Sequence, residues 1–287
     1  MRKGFLFTLS ILLLLGFLVA FSTYYAAKPP ALARELTASM KTGRAAFVAD
    51  DLETDLNALL GIGLDINSGN PNTIVTIDDK LPSDFNRARL TRWEQFIESQ
   101  YGPFISTAFD LNTQAMADAN AELLFNNDTQ YVFSPTDINS FQLFVPGGDT
   151  NILSLDLNVF VNDDLNNSVP WTLGSGDINV TLRYSDTLTG NSFVSSGQLS
   201  STASNQYILR YSPNSADALT ITVGRVAGSD AGLRIQHGLF NYAAMTRVRI
   251  KATLATPTKP LTVSANMDLN YSQSDMNLSR KPILARG

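Results

Sequence analysis

Leu153-Ser154-Leu155-Asp156-Leu157-Asn158-Val159 exchanges an apolar for a polar residue at every step. Successive side chains of a strand point to opposite faces, so this run predicts a β-strand with one buried and one wet face. The period recurs in Ile178, Val180, Leu182 and Tyr184, which alternate with Asn179, Thr181 and Arg183. It returns in Val248, Ile250, Ala252 and Leu254, and again in Leu261, Val263, Ala265, Met267, Leu269 and Tyr271. Shorter strands are expected at 141–145, 207–211 and 219–223. Strands with one apolar and one Thr, Ser, Asn or basic face belong to antiparallel sheets packed on one side. Residues 127–275 are therefore expected to form an antiparallel, jelly-roll-like β-sandwich. Turn clusters such as Gly147-Gly148-Asp149, Gly174-Ser175-Gly176 and Pro213-Asn214-Ser215 separate the strands, and no helical crossover long enough for a βαβ unit intervenes.

Upstream, residues 29–126 read as a helical neck, which makes the whole chain α+β. From Ala31 to Leu60 the apolar residues Leu36, Met40, Phe47, Val48, Leu52, Leu56, Leu59 and Leu60 fall at spacings of three, four and seven, the pattern of an amphipathic helix. Gly61-Ile62-Gly63 ends it, and Ser68 to Asn72 is turn chemistry before a short strand at 73–77. Leu90, Trp93, Phe96, Ile97 and Tyr101 share one helical face, with Trp93 and Tyr101 expected in the core. Gly102-Pro103 breaks that helix before a second one over 104–125. Asp50, Asp51, Glu53 and Asp55 are expected on a solvated face, since neighbours on a helix diverge by ~100°. Residues 276–287, with Arg280, Lys281 and Arg286, are expected to be a soluble tail.

No residue from Phe5 to Ala27 is charged. Roughly 23 residues at ~1.5 Å each give a helix of about 35 Å, enough to cross a ~30 Å hydrocarbon core. Arg2 and Lys3 precede this stretch, and Tyr24 and Tyr25 sit at its far end. A membrane anchor over 1–28 is expected, with its N-terminus cytoplasmic and the remainder outside. The competing reading is a secretory signal cleaved near Ala31-Leu32-Ala33, although the apolar stretch exceeds the usual ~7–15 residues of such a signal.

Arg2-Lys3-Gly4-Phe5-Leu6-Phe7-Thr8-Leu9, running into a Leu-rich helix, resembles the class III signal of archaeal type IV pilin-like proteins. The resemblance covers about the first tenth of the chain. It implies cutting after Gly4 by a membrane peptidase that reads Lys3, Gly4 and Phe5, with the apolar helix kept as an anchor or as the packed core of a filament. The sequence departs from bacterial-type pilins, whose fifth mature residue is Glu. Leu9 stands there, and without that carboxylate a membrane-bound monomer or minor filament component stays open beside a filament subunit.

Composition narrows the function. Charged residues make up 16% of 287, and the net charge is −5. The low charged fraction beside abundant Asn, Ser and Thr favours an exposed ectodomain over a cytosolic enzyme, and the net negative charge with its acidic pI argues against a domain that holds nucleic acid by clustered Lys and Arg. There is no Cys and one His. Thiolate chemistry, disulfides and Cys- or His-rich zinc sites are thereby excluded. His237, in Arg234-Ile235-Gln236-His237-Gly238, lacks a nucleophile elbow and is expected on a polar loop or strand edge. Asn162 to Asn167 is rich in oxygen but lacks the EF-hand spacing, so it reads as a solvated turn. No cofactor, metal site or enzymatic activity is expected. Five N-glycosylation sequons begin at Asn127, Asn166, Asn179, Asn270 and Asn277, with Asn179 directed outward by the alternation.

The expectation is a single-pass, cell-surface structural or interaction protein, pilin-like, possessing an anchor at 5–27 that partners the lipid bilayer. Copies of itself or other pilin-like subunits are the protein partners to expect. The rival readings are a membrane-tethered glycan-binding module, whose groove would expose Trp or Tyr beside acids and amides, and a tethered glycoside hydrolase built on two carboxylates.

Overall fold

The computed structural model describes residues 43–286 apart from 70, 84, 119, 135–139, 149, 240–243, 256–259 and 274–275, together with 15, 17–19, 22–23 and 39–40. Lys3, Gly4 and Phe5 lie outside the described residues, as does most of the expected anchor. Leu15, residues 17–19, Ser22 and Thr23 are helical and exposed. Among the described residues no helix is long and apolar enough to cross a membrane.

The chain divides into two compact units, Met1–Leu52 and Glu53–Gly287, and every described strand belongs to the second. Residues 43–60 are helical (α1), and Gly61 takes a positive φ of 67° where the helix stops, the left-handed cap expected of a helix-ending Gly. In chain order there follow β1 (Gly63–Ser68), β2 (Asn72–Leu81), α2 (Arg87–Phe96), a π-helical turn (Ile97–Tyr101), α3 (Gly102–Phe104), β3 (Ala108–Asn112), α4 (Gln114–Asp118), β4 (Ala121–Phe125), β5 (Gln130–Phe133) and β6 (Phe141–Val145). Then come β7 (Asn151–Val161), β8 (Asn167–Val169), β9 (Ile178–Asp186), β10 (Ser192–Leu199), β11 (Ser204–Arg210), β12 (Ala218–Val226) and β13 (Ser229–Gly238). The last are β14 (Thr246–Ala255), β15 (Thr262–Ala265), β16 (Asp268–Gln273), β17 (Met276–Arg280) and β18 (Ile283–Arg286).

The unit is mostly β-sheet, consistent with a β-sandwich. One sheet runs β1-β2-β14-β7-β9-β10; another runs β18-β15-β4-β5-β6-β13-β12-β11-β8; β17-β16-β3 form a third. Both large sheets bury alternate residues: β9 reads buried at Ile178, Val180, Leu182, Tyr184 and Asp186, and exposed at Asn179 and Arg183. The buried faces meet through Tyr131 of β5, whose hydroxyl donates to Asp79 Oδ2 of β2 at 2.7 Å, and through Phe193 of β10 stacked on Tyr207 of β11 at 5.6 Å. Burial, reinforced by the Asp79 carboxylate, pushes the Tyr131 hydroxyl well above its ordinary pKa.

Several expectations are corrected. The neck at 29–126 is not a separate helical region. β2 pairs along its whole length with β14, and β4 pairs with β5, so strands before 126 are built into the same sheets as those after it. The helix expected over 104–125 is replaced by β3, the short α4 and β4. Ser106 adopts φ 57° while Thr107 N–H returns to the Gly102 carbonyl at 2.9 Å, which closes the helix, and pairing of β3 with β16 takes the chain onward as a strand.

The sheets are not wholly antiparallel, since β7 and β9 run parallel. Between them the chain leaves for the other sheet as β8 and returns, and that detour makes a parallel neighbour feasible without a helix. The tail at 276–287 is also structural: β17 pairs with β16, β18 pairs with β15, and Arg280 Nη2 donates to Glu53 Oε1 at 2.7 Å. Leu90 and Ile97 are buried as expected. Trp93 and Tyr101 are only half-buried and Phe96 is exposed; at ~100° per residue Phe96 points about 120° away from the buried Leu90.

Candidate functional site

Of the five sequons, Asn166, Asn179 and Asn277 are exposed. Asn127 donates to Thr150 Oγ1 at 2.8 Å, and Asn270 sits between Asp110 and Ser279, donating to the first and accepting from the second. The amides of those two are already committed to the fold.

His237 overturns its expected place. It lies on β13, between β6 and β12, and is 2% exposed. Its backbone N–H donates to Ser140 O at 2.8 Å, while neither ring nitrogen makes a well-formed hydrogen bond among the described residues. Burial holds its pKa below the ordinary value, against a smaller opposing pull from the backbone at His237 and Ala244.

The sign of the resulting pH dependence follows. The unfolded chain accepts a proton near pH ~6.5 that the folded chain resists, so stability is full above that value and falls as pH drops toward the depressed folded pKa. For a fragment starting at residue 29, the urea midpoint should fall between about pH 7.5 and 5.5, and His237→Leu should flatten that fall. Equal slopes for the two proteins would remove His237 as the cause.

Asp163 is likewise not a solvated turn residue. It is 7% exposed, accepts from the Tyr211 hydroxyl at 2.6 Å and caps Asp164 N–H at 2.8 Å. Nearby, Asp186 accepts from Thr189 N–H and Gly190 N–H at 2.9 and 3.0 Å. These carboxylates hold loops, and among the described residues no group of three or more acids or histidines is placed to bind a metal.

The feature that only the assembled sheet reveals is the outer face of the six-stranded sheet. Registers align Lys80-Arg247-Phe160-Ser185-Ser192 in one row across the strands, then Asp78-Arg249-Asn158-Arg183-Val194, then Thr76-Lys251-Asp156-Thr181-Ser196. Phe160 is 37% exposed, although aromatic rings normally face the core. It stands between two hollows of about 350 and 490 Å³. Lys80, Arg247 and Arg249 line the first; Arg183, Ser192 and Val194 line the second; Asn158 borders both. Arg249 pairs with Asp78 at 3.3 Å, and Arg183 with Asp156. Arg247 and Lys251 make no ion pair or hydrogen bond among the described residues.

Periodicity marks each of these residues as outward-facing, but it does not show which ones share a row. The exposed Trp or Tyr expected of a glycan groove is not found on this face: Trp171 is buried and Phe160 takes the exposed aromatic position. Comparison with known proteins finds no matching family model, curated protein or solved structure.

Proposed function

We propose that this protein is a membrane-anchored cell-surface interaction protein, pilin-like at its N-terminus, whose β-sandwich head engages partners through the outer face of its six-stranded sheet. The anchor rests on the uncharged residues 5–27 behind Arg2 and Lys3. The observation carrying the interaction role is that broad outer face, lined by Arg247, Lys251, Asn158 and Phe160 and crossed by two hollows. Side chains presented in rows on a rigid sheet suit binding, because the strands hold them at fixed spacing.

A glycan-binding role is the second reading, favoured by the exposed Phe160 ring beside the Asn158 amide. Retention of Leu9 where bacterial-type pilins carry Glu supports an anchored monomer or minor component over a major filament subunit.

Processing tests the pilin-like reading. In a host with a prepilin peptidase the mature chain should begin at Phe5, and Gly4→Leu should abolish the cut, because the enzyme must fit a residue without a side chain beside the scissile bond. The membrane helix persists either way. A chain beginning at Arg34 would instead make this a secreted protein, and an uncut Met1 or Arg2 an ordinary signal anchor.

A further inference from the structure

The geometry points to an acidic polysaccharide as the ligand of the six-stranded sheet, lying across the strands over Phe160 with its carboxylates or sulfates on Arg247, Arg249, Lys251 and Arg183. This assignment rests on the proposal that this face is displayed outside the cell.

Arg247, Arg249 and Lys251 occupy alternate positions of β14 and point outward together. At ~3.4 Å per residue they form a cationic line about 14 Å long in the interior of the sheet. Lys80 flanks Arg247 on β2, and Arg183 lies beyond Asn158 on β9. The same rows carry three carboxylates: Asp78 and Asp156, each paired with one arginine, and Asp65 on edge strand β1 beside Thr76; among the described residues neither Arg247 nor Lys251 makes an ion pair. Five cations, Lys80, Arg183, Arg247, Arg249 and Lys251, thus share these rows with three carboxylates, a local excess of positive charge in a chain of net charge −5. Such a face attracts polyanions, and guanidinium forks match planar carboxylates and sulfates.

The rest of the face selects among polyanions. The uncharged polar residues of these rows are Ser185, Ser192, Ser196, Thr76, Thr181 and Asn158, and Ser154, Asn179 and Gln198 continue the face in the next row, a lining of hydroxyls and amides suited to a hydroxyl-rich chain. Phe160 offers one apolar ring of the sort on which the CH face of a sugar rests, with hollows on both sides for the neighbouring units. From β2 to β10 the rows cross four inter-strand steps, about 19 Å at ~4.8 Å each, so an extended chain contacts both hollows. An acidic peptide is less well matched: extended peptides add to sheet edges, and these groups sit on the flat interior of a sheet whose backbone is already paired. Single-stranded nucleic acid needs several stacking rings, and this face offers one.

The test uses the full chain in nonionic detergent on immobilised polygalacturonate, heparin, neutral dextran and single-stranded DNA. Retention on polygalacturonate or heparin is expected, and screening should weaken it at least tenfold between about 0.05 and 0.5 M NaCl. Arg247→Ser combined with Lys251→Ser should weaken it about tenfold or more, and Phe160→Ser about threefold or more. Arg225→Ser, on β12 of the other large sheet, should leave it unchanged, and all variants should keep the parent's circular dichroism melt. Four results would overturn the assignment: no retention, stronger retention on dextran, a preference for DNA over both polysaccharides, or retention indifferent to the Arg247/Lys251 pair. Protease shaving of intact cells separates this from the parent reading. A chain that is shaved yet binds neither polysaccharide loses the ligand and keeps the display, whereas a protected chain that binds loses the display alone.

Discussion

Phe133→Ala should destabilise a fragment starting at residue 29 by about 3–5 kcal/mol, the range for removing a large buried aromatic ring. Phe133 on β5 is fully buried. Its ring meets Phe85 edge-on at 5.8 Å and stacks on Tyr131 at 5.7 Å, so truncation leaves a cavity and also breaks two aromatic pairs. The loss should spread beyond the ring, because Tyr131 carries the hydrogen bond to Asp79 that ties the two large sheets. Thermal unfolding followed by circular dichroism should shift down by roughly 10 °C, at 2–4 °C per kcal/mol for a domain of this size. A shift of a degree or two would mean that this region is not the shared core of the two sheets.

Gly224→Ala should be comparably damaging, at about 3–5 kcal/mol, from backbone strain and overpacking acting together. Gly224 on β12 has φ 101°, a conformation that L side chains rarely adopt. A Cβ there would lie 2.1 Å from the Ala203 carbonyl oxygen and 2.5 Å from that of Ser200. Neither oxygen is free to retreat. Ala203 O accepts from Arg225 N–H at 2.9 Å, and the Asn205 amide reaches Ser200 O and Val223 O at 2.9 and 3.0 Å. Gly190→Ala is the control: its φ of 69° is also left-handed, but nothing lies within 4 Å of the added carbon, so only ~1 kcal/mol of backbone strain is expected. Urea titration of both variants decides the matter, and equal losses would show that the close approach at Gly224 does not exist.

The strands were the most legible part of the chain, and they show where legibility stops. Alternation places Val248, Ile250, Ala252 and Leu254 in the core and Arg247, Arg249 and Lys251 outside, as the structure has them. In β7 the same reading slips at one residue. A register shift opposite Thr253 and Leu254 makes Leu153 the extra residue, so Ile152 is the one buried at that end. His237 continues the inward phase of Leu233 and Ile235, and Asp163 that of Val159 and Val161, so the alternation already marked both as inward, and they were misread because their polarity was given more weight than their phase. Both are buried by strands or loops distant in sequence: β6 beside His237, and Tyr211 over Asp163. Ala108 to Phe125 carries helix-forming residues, yet partners more than a hundred residues away, on β15 and β16, draw most of it into strands.

By itself the sequence determined the β-rich class, the inward and outward set of most strands, the uncharged run at 5–27 behind a basic start, and the lack of thiol or multi-histidine chemistry. These are local matters: side-chain direction on a strand follows from period two, and the length of an uncharged run is simply counted. Only the tertiary structure decided that β2 and β14 lie side by side, that β9 runs parallel to β7, and that the final residues form strands. The row through Lys80, Arg247, Phe160 and Ser185 draws on four strands far apart in the chain. A row across a sheet depends on register, and register is set by long-range burial and bulges, to which no single strand's pattern refers.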